Sequence, residues 1–278
     1  MITVAEALRD AARRLETVSD TARFDAELLM AEALGVSRSE MLLRRLAEPA
    51  TEAFEALISR RMTHEPVAQI LGRKEFYGRE FRICRDVLTP RADSETTVAA
   101  ALEAVPNAQR ILDCGTGSGA LLLTLLAELP AAHGVGIDRS TAALAVAQDN
   151  AERLGLAQRA ELQTADWHDP LWREGLGSFD LVIANPPYVE SGADLDPSVS
   201  DYEPAGALFA GPDGLDDYRV LVPQLSALIA PSGVVVLEIG ASQADAVSQI
   251  AASAGFATDL RRDLGGRARA LVLRKTCD

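Results

Sequence analysis

The sequence predicts an α/β protein: a doubly wound, mostly parallel sheet, preceded by a small helical domain and a β-hairpin linker. Three observations predict it. From Asp93 onward, short apolar runs alternate with segments at helical spacing, the pattern of a sheet with helices on both faces. The first 73 residues show helical spacing and no strand alternation. Between the two, residues 74–88 switch to short apolar alternation through Phe76, Tyr77, Phe81, Ile83 and Val87, with Gly78 available for a turn.

The helical region starts at a capping box, Thr3-Val4-Ala5-Glu6, followed by Ala7, Leu8, Ala11, Ala12 and Leu15 at helical spacing. A second helix spans about 21–34 and stops at Gly35. Ser37-Arg38-Ser39-Glu40 repeats the capping pattern before Met41-Leu42-Leu43, and a fourth helix covers about 51–62. The expected organisation is thus a helical domain at 1–73, a hairpin linker at 74–90 and the α/β domain at 91–278.

In the α/β domain the expected strands are 110–114, 134–138, 160–164, 179–184, 232–239, 255–260 and 269–274. The expected helices lie at about 93–104, 118–129, 140–154, 215–229 and 242–254. Ligands of such sheets bind beyond the carboxyl ends of the strands, where strand order reverses. Three motifs follow strands and are therefore expected to meet along that edge.

The first is Asp113-Cys114-Gly115-Thr116-Gly117-Ser118-Gly119, a glycine-rich turn between a strand and an apolar helix. Glycines let a ligand approach the backbone, and the helix start offers free N–H groups. The second is Asp138, 19 residues after Gly119 and at the end of the next strand, where a carboxylate can hold a ribose hydroxyl pair. The glycine spacing is G-x-G-x-G, not the G-x-G-x-x-G of dinucleotide sites. Asp113 disfavours a pyrophosphate and favours a sulfonium cation with an amino-acid tail. S-adenosylmethionine fits better than a nucleotide, which stays open as the alternative. The third motif, Asn185-Pro186-Pro187-Tyr188, follows an apolar strand. Two successive prolines fix the backbone and remove two donors. What remains is carbonyls, a carboxamide and an aromatic face: acceptors for both hydrogens of a planar NH2 group. A simple turn is the competing reading of this stretch alone.

Charge narrows the substrate class. The net charge is −14, with 15 basic and 15 acidic side chains in residues 1–91 and 12 basic and 26 acidic in residues 92–278. A catalytic domain this acidic is a poor binder of DNA or RNA, which need cations to replace counterions. Apolar content is 48% and mean hydropathy is +0.05; no run of apolar residues is long enough for a membrane span. Glu6, Arg9 and Asp10 near the start speak against a signal peptide. Cys84, Cys114 and Cys277 are widely spaced, suggesting no pairing and a reducing compartment. His64, His133 and His168 lack metal-ligand spacing.

Over nearly its whole length the chain resembles the release-factor glutamine N5-methyltransferase family. The resemblance runs through Pro66–Gly72, Glu75–Gly78, Val87–Arg91, the glycine loop, Asp138 and Asn185–Tyr188. It continues through Tyr202-Glu203-Pro204, Gly214-Leu215 with Tyr218-Arg219, and Leu237–Gly240 with Gln243. Two departures are mild: Ala92-Asp93-Ser94 stands where the family usually has Pro-Glu-Thr, and Cys114 replaces an aliphatic residue. The resemblance implies a seven-stranded, Rossmann-like methyltransferase sheet whose last strand is antiparallel. It implies S-adenosylmethionine as cofactor, a cytoplasmic location, and peptide-chain release factors as protein substrates, methylated on the Gln of a Gly-Gly-Gln loop, and it favours residues 1–73 as a docking surface for them over a stabilising appendage. Gly115, Thr116, Gly117, Ser118 and Gly119 would wrap the methionine end, Asp138 the ribose, and Trp167 the adenine. Asn185 and Pro186 would accept the amide hydrogens, with Pro187 shaping the loop and Tyr188 packing on the amide. Glu238 and Arg91 lie in matching segments as supporting residues, although Glu238 reads equally as a buried structural carboxylate. The alternatives left open are a ribosomal-protein glutamine and, for the same loop, an exocyclic amine of adenine or guanine. No nucleic-acid, membrane or metal partner is expected.

Overall fold

The computed structural model describes residues 2–276. The helical part comprises α1 (Val4–Leu15), α2 (Ala22–Leu34), α3 (Arg38–Glu40), α4 (Glu52–Met62) and α5 (Val67–Leu71). A hairpin of β1 (Arg73–Phe76) and β2 (Arg79–Arg82) follows. Then come α6 (Glu95–Ala104), β3 (Arg110–Cys114), α7 (Ala120–Glu128), β4 (His133–Asp138), α8 (Thr141–Arg153), β5 (Ala160–Thr164) and β6 (Phe179–Ala184). The chain ends with α9 (Pro197–Ser200), α10 (Asp216–Leu225), β7 (Ile229–Glu238), α11 (Ala244–Ser253), β8 (Phe256–Arg262) and β9 (Ala268–Lys275). Among the described residues no helix is long and apolar enough to cross a membrane. Cys84 and Cys114 are free thiols, and Cys277 lies outside the described residues.

Two compact units form. The first takes the chain up to Arg73 together with Leu195–Tyr202. Its capping box closes at both ends: Glu6 donates its N–H to Thr3 Oγ1 at 3.3 Å, and Thr3 N–H donates to Glu6 Oε2 at 2.8 Å. Val4, Leu8, Leu15, Leu29, Met30, Met41, Phe54 and Ile58 form the core. Inside lies a buried ion pair, Arg61 Nε to Asp25 Oδ2 at 2.8 Å. Ser37 caps α3 through the Glu40 N–H, but after one turn the helix widens into a π-turn, Met41–Arg45. The sequence gives no periodic signal for α5, because its five residues between Pro66 and Gly72 are too few to show one. Nor does it announce the late segment 195–202. That segment joins the unit because the Tyr202 hydroxyl donates to Thr63 O at 2.7 Å and Gln69 Nε2 donates to Tyr202 O at 2.6 Å.

The second unit, Lys74–Asp194 and the chain from Glu203, is built on a seven-stranded sheet in the order β5-β4-β3-β6-β7-β9-β8. β3 pairs in parallel with both β4 and β6, through Leu112↔Val135 and Leu112↔Val182, and β6 pairs in parallel with β7 through Ala184↔Leu237. β9 is antiparallel to both of its neighbours. Strand alternation splits the core in two. Ile111, Leu181, Ile183, Val234 and Val236 face one side, with buried residues of α6, α7 and α8; Leu112, Val182, Val235 and Leu237 face the other, with α10 and α11.

Residues 74–90, expected as a linker, pack within this unit. Phe76, Phe81, Ile83 and Val87 are buried in the same cluster as α6 and α7. The hairpin turn takes Tyr77 and Gly78 into the left-handed region, φ 51° and 72°, the twist that two-residue hairpin turns require. Glu95 pins Tyr77 there by accepting its N–H at 2.9 Å. The helix expected at 215–229 ends at Leu225, and β7 begins at Ile229. The apolar stretch between them suits either element, and pairing of Phe179 with Ile229 decides for the strand.

Candidate active site

Strand order reverses between β3 and β6, so the ends of β3, β4 and β6 define the ligand crevice. At the end of β3 the chain turns through Gly115 and Gly117, φ 80° and 55°, and enters α7 at Gly119, φ 81°. The N–H groups of Gly115 and Thr116 both donate to Ile137 O at 2.9 Å, which stitches the loop to β4. A side chain at Gly115 would stand 3.2 Å from the Trp167 ring; one at Gly119 would stand 2.9 Å from Leu123. Gly115 is therefore small for the cavity, and Gly119 for the helix packing behind it.

Asp138 closes the loop from the next strand. Its Oδ2 accepts the Gly117 N–H and its Oδ1 the Ser140 N–H, each at 2.9 Å. A carboxylate accepts about four hydrogen bonds, so one lone pair on each oxygen remains for a diol. Asp113 departs from expectation. It is 1% exposed and does not line the cavity. It lies beneath the loop, where it accepts the Thr116 hydroxyl at 2.7 Å, and burial raises its pKa to about 7. It fastens the loop and does not face a ligand as a countercharge.

Trp167 lines the cavity, with its indole N–H donating to Asp217 Oδ1 at 2.9 Å and its carbonyl accepting from Gln224 at 3.0 Å. Both ends of the residue are thus fixed, leaving the ring as a wall. Gly115, Thr116, Gly117, Ser118, Asp138, Trp167, Asn185 and Pro187 all line this one cavity. Gly119, Pro186 and Tyr188 do not.

The Asn185–Tyr188 loop leaves β6 at the same level. Among the described residues, the Asn185 side chain and the Pro186 carbonyl have no hydrogen-bond partner. The loop is held instead from its far end. Gln243 Nε2 donates to Tyr188 O and to Gly214 O, both at 3.1 Å, and Gln243 Oε1 accepts the Gly240 N–H at 3.1 Å. Gly214, φ 68°, comes so close that a Cβ would stand 2.3 Å from Tyr188 O. Val189 then bridges to Leu208 and Ala210. Tyr188 packs against the core on the α10 side; burial, then the Glu238 charge, pushes its hydroxyl pKa up to about 12, so it stays protonated. Gln243 and Gly214 belong to segments visible in the sequence, but their clamping role is readable only once the loop is placed.

A second fastening joins Arg91 to Glu203 at 2.7 Å, with Thr89 N–H donating to the same carboxylate at 3.4 Å. The Glu203 side chain is fully buried, and burial raises its pKa. This pair explains why the Pro90-Arg91 and Tyr202-Glu203-Pro204 segments belong together: Pro90 and Pro204 both line the cavity. Among the described residues no group of His, Cys, Asp and Glu is placed to hold a metal ion.

Comparison with known proteins now decides the family. Residues 6–72 match the PrmC N-terminal domain and residues 107–221 a methyltransferase domain. The chain is 43% identical over 278 residues to a release factor glutamine methyltransferase of Cereibacter sphaeroides, covering 97% of this chain and 98% of that one. It is 42% identical over 260 residues to one from Rhodospirillum rubrum, covering 91% and 79%. The chain belongs to the release factor glutamine methyltransferase family. Solved structures agree on the fold. A methyltransferase from Pyrococcus furiosus superposes with a TM-score of 0.51 at 15% identity over 79% of this chain and 96% of that one. A ribosomal protein L11 methylase from Lactobacillus delbrueckii gives 0.50 at 21% over 69% and 82%. The glycine cradle, the part-free Asp138 carboxylate and the fixed indole wall fit the S-adenosylmethionine used by this family's methyltransferase domain.

Proposed function

We propose that this protein transfers a methyl group from S-adenosylmethionine to the side-chain amide nitrogen of the Gln in the Gly-Gly-Gln motif of peptide-chain release factors. One observation carries the reading within the family: two unpartnered acceptors, Asn185 and Pro186, on a loop clamped beside the Gly115–Ser118 and Asp138 cavity.

The chemistry needs placement above all. An amide nitrogen is a poor nucleophile because its lone pair is shared with its carbonyl. S-adenosylmethionine, when bound, supplies a methyl group already activated by a sulfonium. Gly115, Thr116, Gly117 and Ser118 would hold the methionine end, Asp138 would accept the ribose hydroxyls, and Trp167 would flank the adenine. Asn185 Oδ1 and Pro186 O each accept one amide hydrogen, which fixes the nitrogen's orientation. Orientation of this kind supplies roughly 7–11 kcal/mol in favourable cases. Nitrogen gains positive charge as the bond forms, so both acceptors bind the transition state more tightly than the ground state. Tyr188, kept neutral, and Pro187 close the loop against water.

Selectivity for a protein glutamine over a nucleobase rests on two features. Residues 92–278 carry the whole net charge of −14, which disfavours a polyanion. The N-terminal unit offers exposed apolar side chains, Phe24 and Leu43, for a folded protein partner. Incubation with labelled cofactor and purified release factors, followed by mapping of the modified residue, tests the proposal. Label on any residue other than the Gly-Gly-Gln glutamine overturns it.

A further inference from the structure

One buried acid has no part in the chemistry above. Glu238 ends β7 and is 2% exposed. Ala184 pairs with Leu237, so the next residues, Asn185 and Glu238, leave neighbouring parallel strands at the same level. Glu238 continues the face of Val234 and Val236, and Asn185 that of Leu181 and Ile183, the face on which α6 packs. From that side the Thr97 hydroxyl donates to the carboxylate at 3.3 Å, and the Ser94 hydroxyl lies near enough to favour its charged form. Ser94 in turn lines the cofactor cavity. One hydroxyl therefore separates the cavity that receives the methyl donor from a buried carboxylate.

We propose that Glu238 accepts, through the Ser94 hydroxyl, the proton that the glutamine amide gives up on methylation. The inference rests on the function proposed above. Methyl transfer forms the N–CH3 bond from the nitrogen lone pair and breaks the S–CH3 bond, whose electron pair stays on sulfur. The nitrogen is left with one hydrogen too many. As the nitrogen turns cationic, one of its two hydrogens leaves its carbonyl acceptor for Ser94 Oγ, whose own hydrogen passes to Glu238, which ends as a neutral acid. The positive charge of the donor and the negative charge of the buried carboxylate vanish together, so the closed cavity ends with no charge to strand.

Neighbouring charges support this assignment. Glu238 faces Arg269 of β9, itself paired with Asp93 at 2.6 Å and Asp263 at 3.2 Å; it also faces Asp93 before α6, Tyr188 after β6, and Tyr218 of α10. Desolvation outweighs the two hydroxyls and Arg269 and raises its pKa to about 7, that of a competent base at neutral pH. The acids that line the cavity itself suit the task less. Asp138 already accepts the Gly117 and Ser140 N–H groups, and its remaining lone pairs are assigned to the ribose. Burial raises Asp166, but hydrogen bonds from His168 outweigh it and keep it a weak base. Asp86 is exposed to solvent. Glu238 is thus a positioning residue that acts through Ser94.

The test uses the full-length protein with intact release factor and the variants Glu238→Gln, Glu238→Asp and Ser94→Ala. Wild-type kcat is expected to fall on the acid side between about pH 6 and 8, with a loss of about 100-fold and no acid limb in E238Q, in line with the usual contribution of a general base. E238D should recover part of kcat and the limb, S94A should lose both, and KM should change little. A readout independent of turnover is calorimetry of S-adenosylmethionine binding near pH 7 in two buffers of different ionisation enthalpy. The sulfonium favours the ionised carboxylate, so wild type should release a proton that E238Q does not. A flat wild-type pH profile, wild-type kcat in E238Q, or equal proton release by both proteins overturns the proposal. If E238Q does not fold, the wild-type profile and S94A decide. Absence of methylation by wild type at every pH would instead overturn the substrate assignment, and calorimetry would then decide the role of Glu238.

Discussion

Replacing Asp138 separates its two tasks. The carboxylate holds the glycine loop by accepting the N–H groups of Gly117 and Ser140 at 2.9 Å, and it keeps one lone pair per oxygen for the ribose. Asp138→Ala removes the charged acceptor of both hydroxyls. At about 1.5–3 kcal/mol per charged hydrogen bond the loss is about 3–6 kcal/mol. At 1.4 kcal/mol per factor of ten, the dissociation constant for S-adenosylmethionine rises by about 100- to 10,000-fold. Asp138→Asn is the sharper test. An isosteric amide usually rescues a lost carboxylate in part. Here one end of the amide must present NH2 to a backbone N–H, either that of Gly117 or that of Ser140, so no orientation satisfies both. Asn is therefore expected to weaken binding nearly as much as Ala. Calorimetric titration of the three proteins, with circular dichroism to verify folding, measures this. An Asn variant within about threefold of wild type refutes the reasoning, because it would mean that the carboxylate neither holds the loop nor anchors the ribose.

Other perturbations address the remaining parts. Asn185→Ala should lower kcat by about 100-fold or more while leaving the cofactor dissociation constant within a few-fold, since it removes one of two amide acceptors; single-turnover kinetics with a release factor checks it. Gly214→Ala puts a Cβ 2.3 Å from Tyr188 O at φ 68°. It should displace the clamped loop and reduce kcat about tenfold or more, read from the same assay with cofactor affinity as control. Asp113 binds its proton more tightly folded, at about 7, than unfolded, at 3.8. Its contribution to stability is therefore full below about pH 4 and is lost as pH rises through 7. Asp113→Asn keeps an acceptor for Thr116, and should raise stability on the order of 4 kcal/mol at pH 8 and little at pH 4; urea melts at the two pH values decide. Phe24→Asp with Leu43→Asp should weaken methylation of the intact release factor at unchanged cofactor affinity. Deleting residues 1–73 is a poorer test, because it leaves Tyr202 without Thr63 and Gln69.

The α/β class, the order of the elements and the three motifs at strand ends were legible in the sequence for a local reason. Strand alternation, helical spacing and caps depend on neighbours within one or two turns. β3, β5 and β6 begin and end where the pattern places them. The glycines before α7 and the acid ending β4 are tied to strand ends by chain connectivity alone. Elements without a local signal were lost: α5 is too short for periodicity, and the boundary between α10 and β7 falls in residues that suit either state.

What only the tertiary structure decided concerns partners distant in the chain. Asp113 read as a charge facing the ligand; packing buried it under the loop it fastens, because strand alternation turns it into the α7 face while Cys114 and Leu112 take the other. The hairpin read as a linker, and its apolar residues proved to be core. Arg91 with Glu203, Gln243 with Tyr188, and Glu238 with Ser94 meet across 112, 55 and 144 positions. No local pattern encodes such contacts, since they depend on which strands become neighbours and in what register. The sequence by itself determined which chemical groups the site could use. The register of β6 against β7, and the burial it imposes, decided which groups stand beside the amide and what charge they carry there.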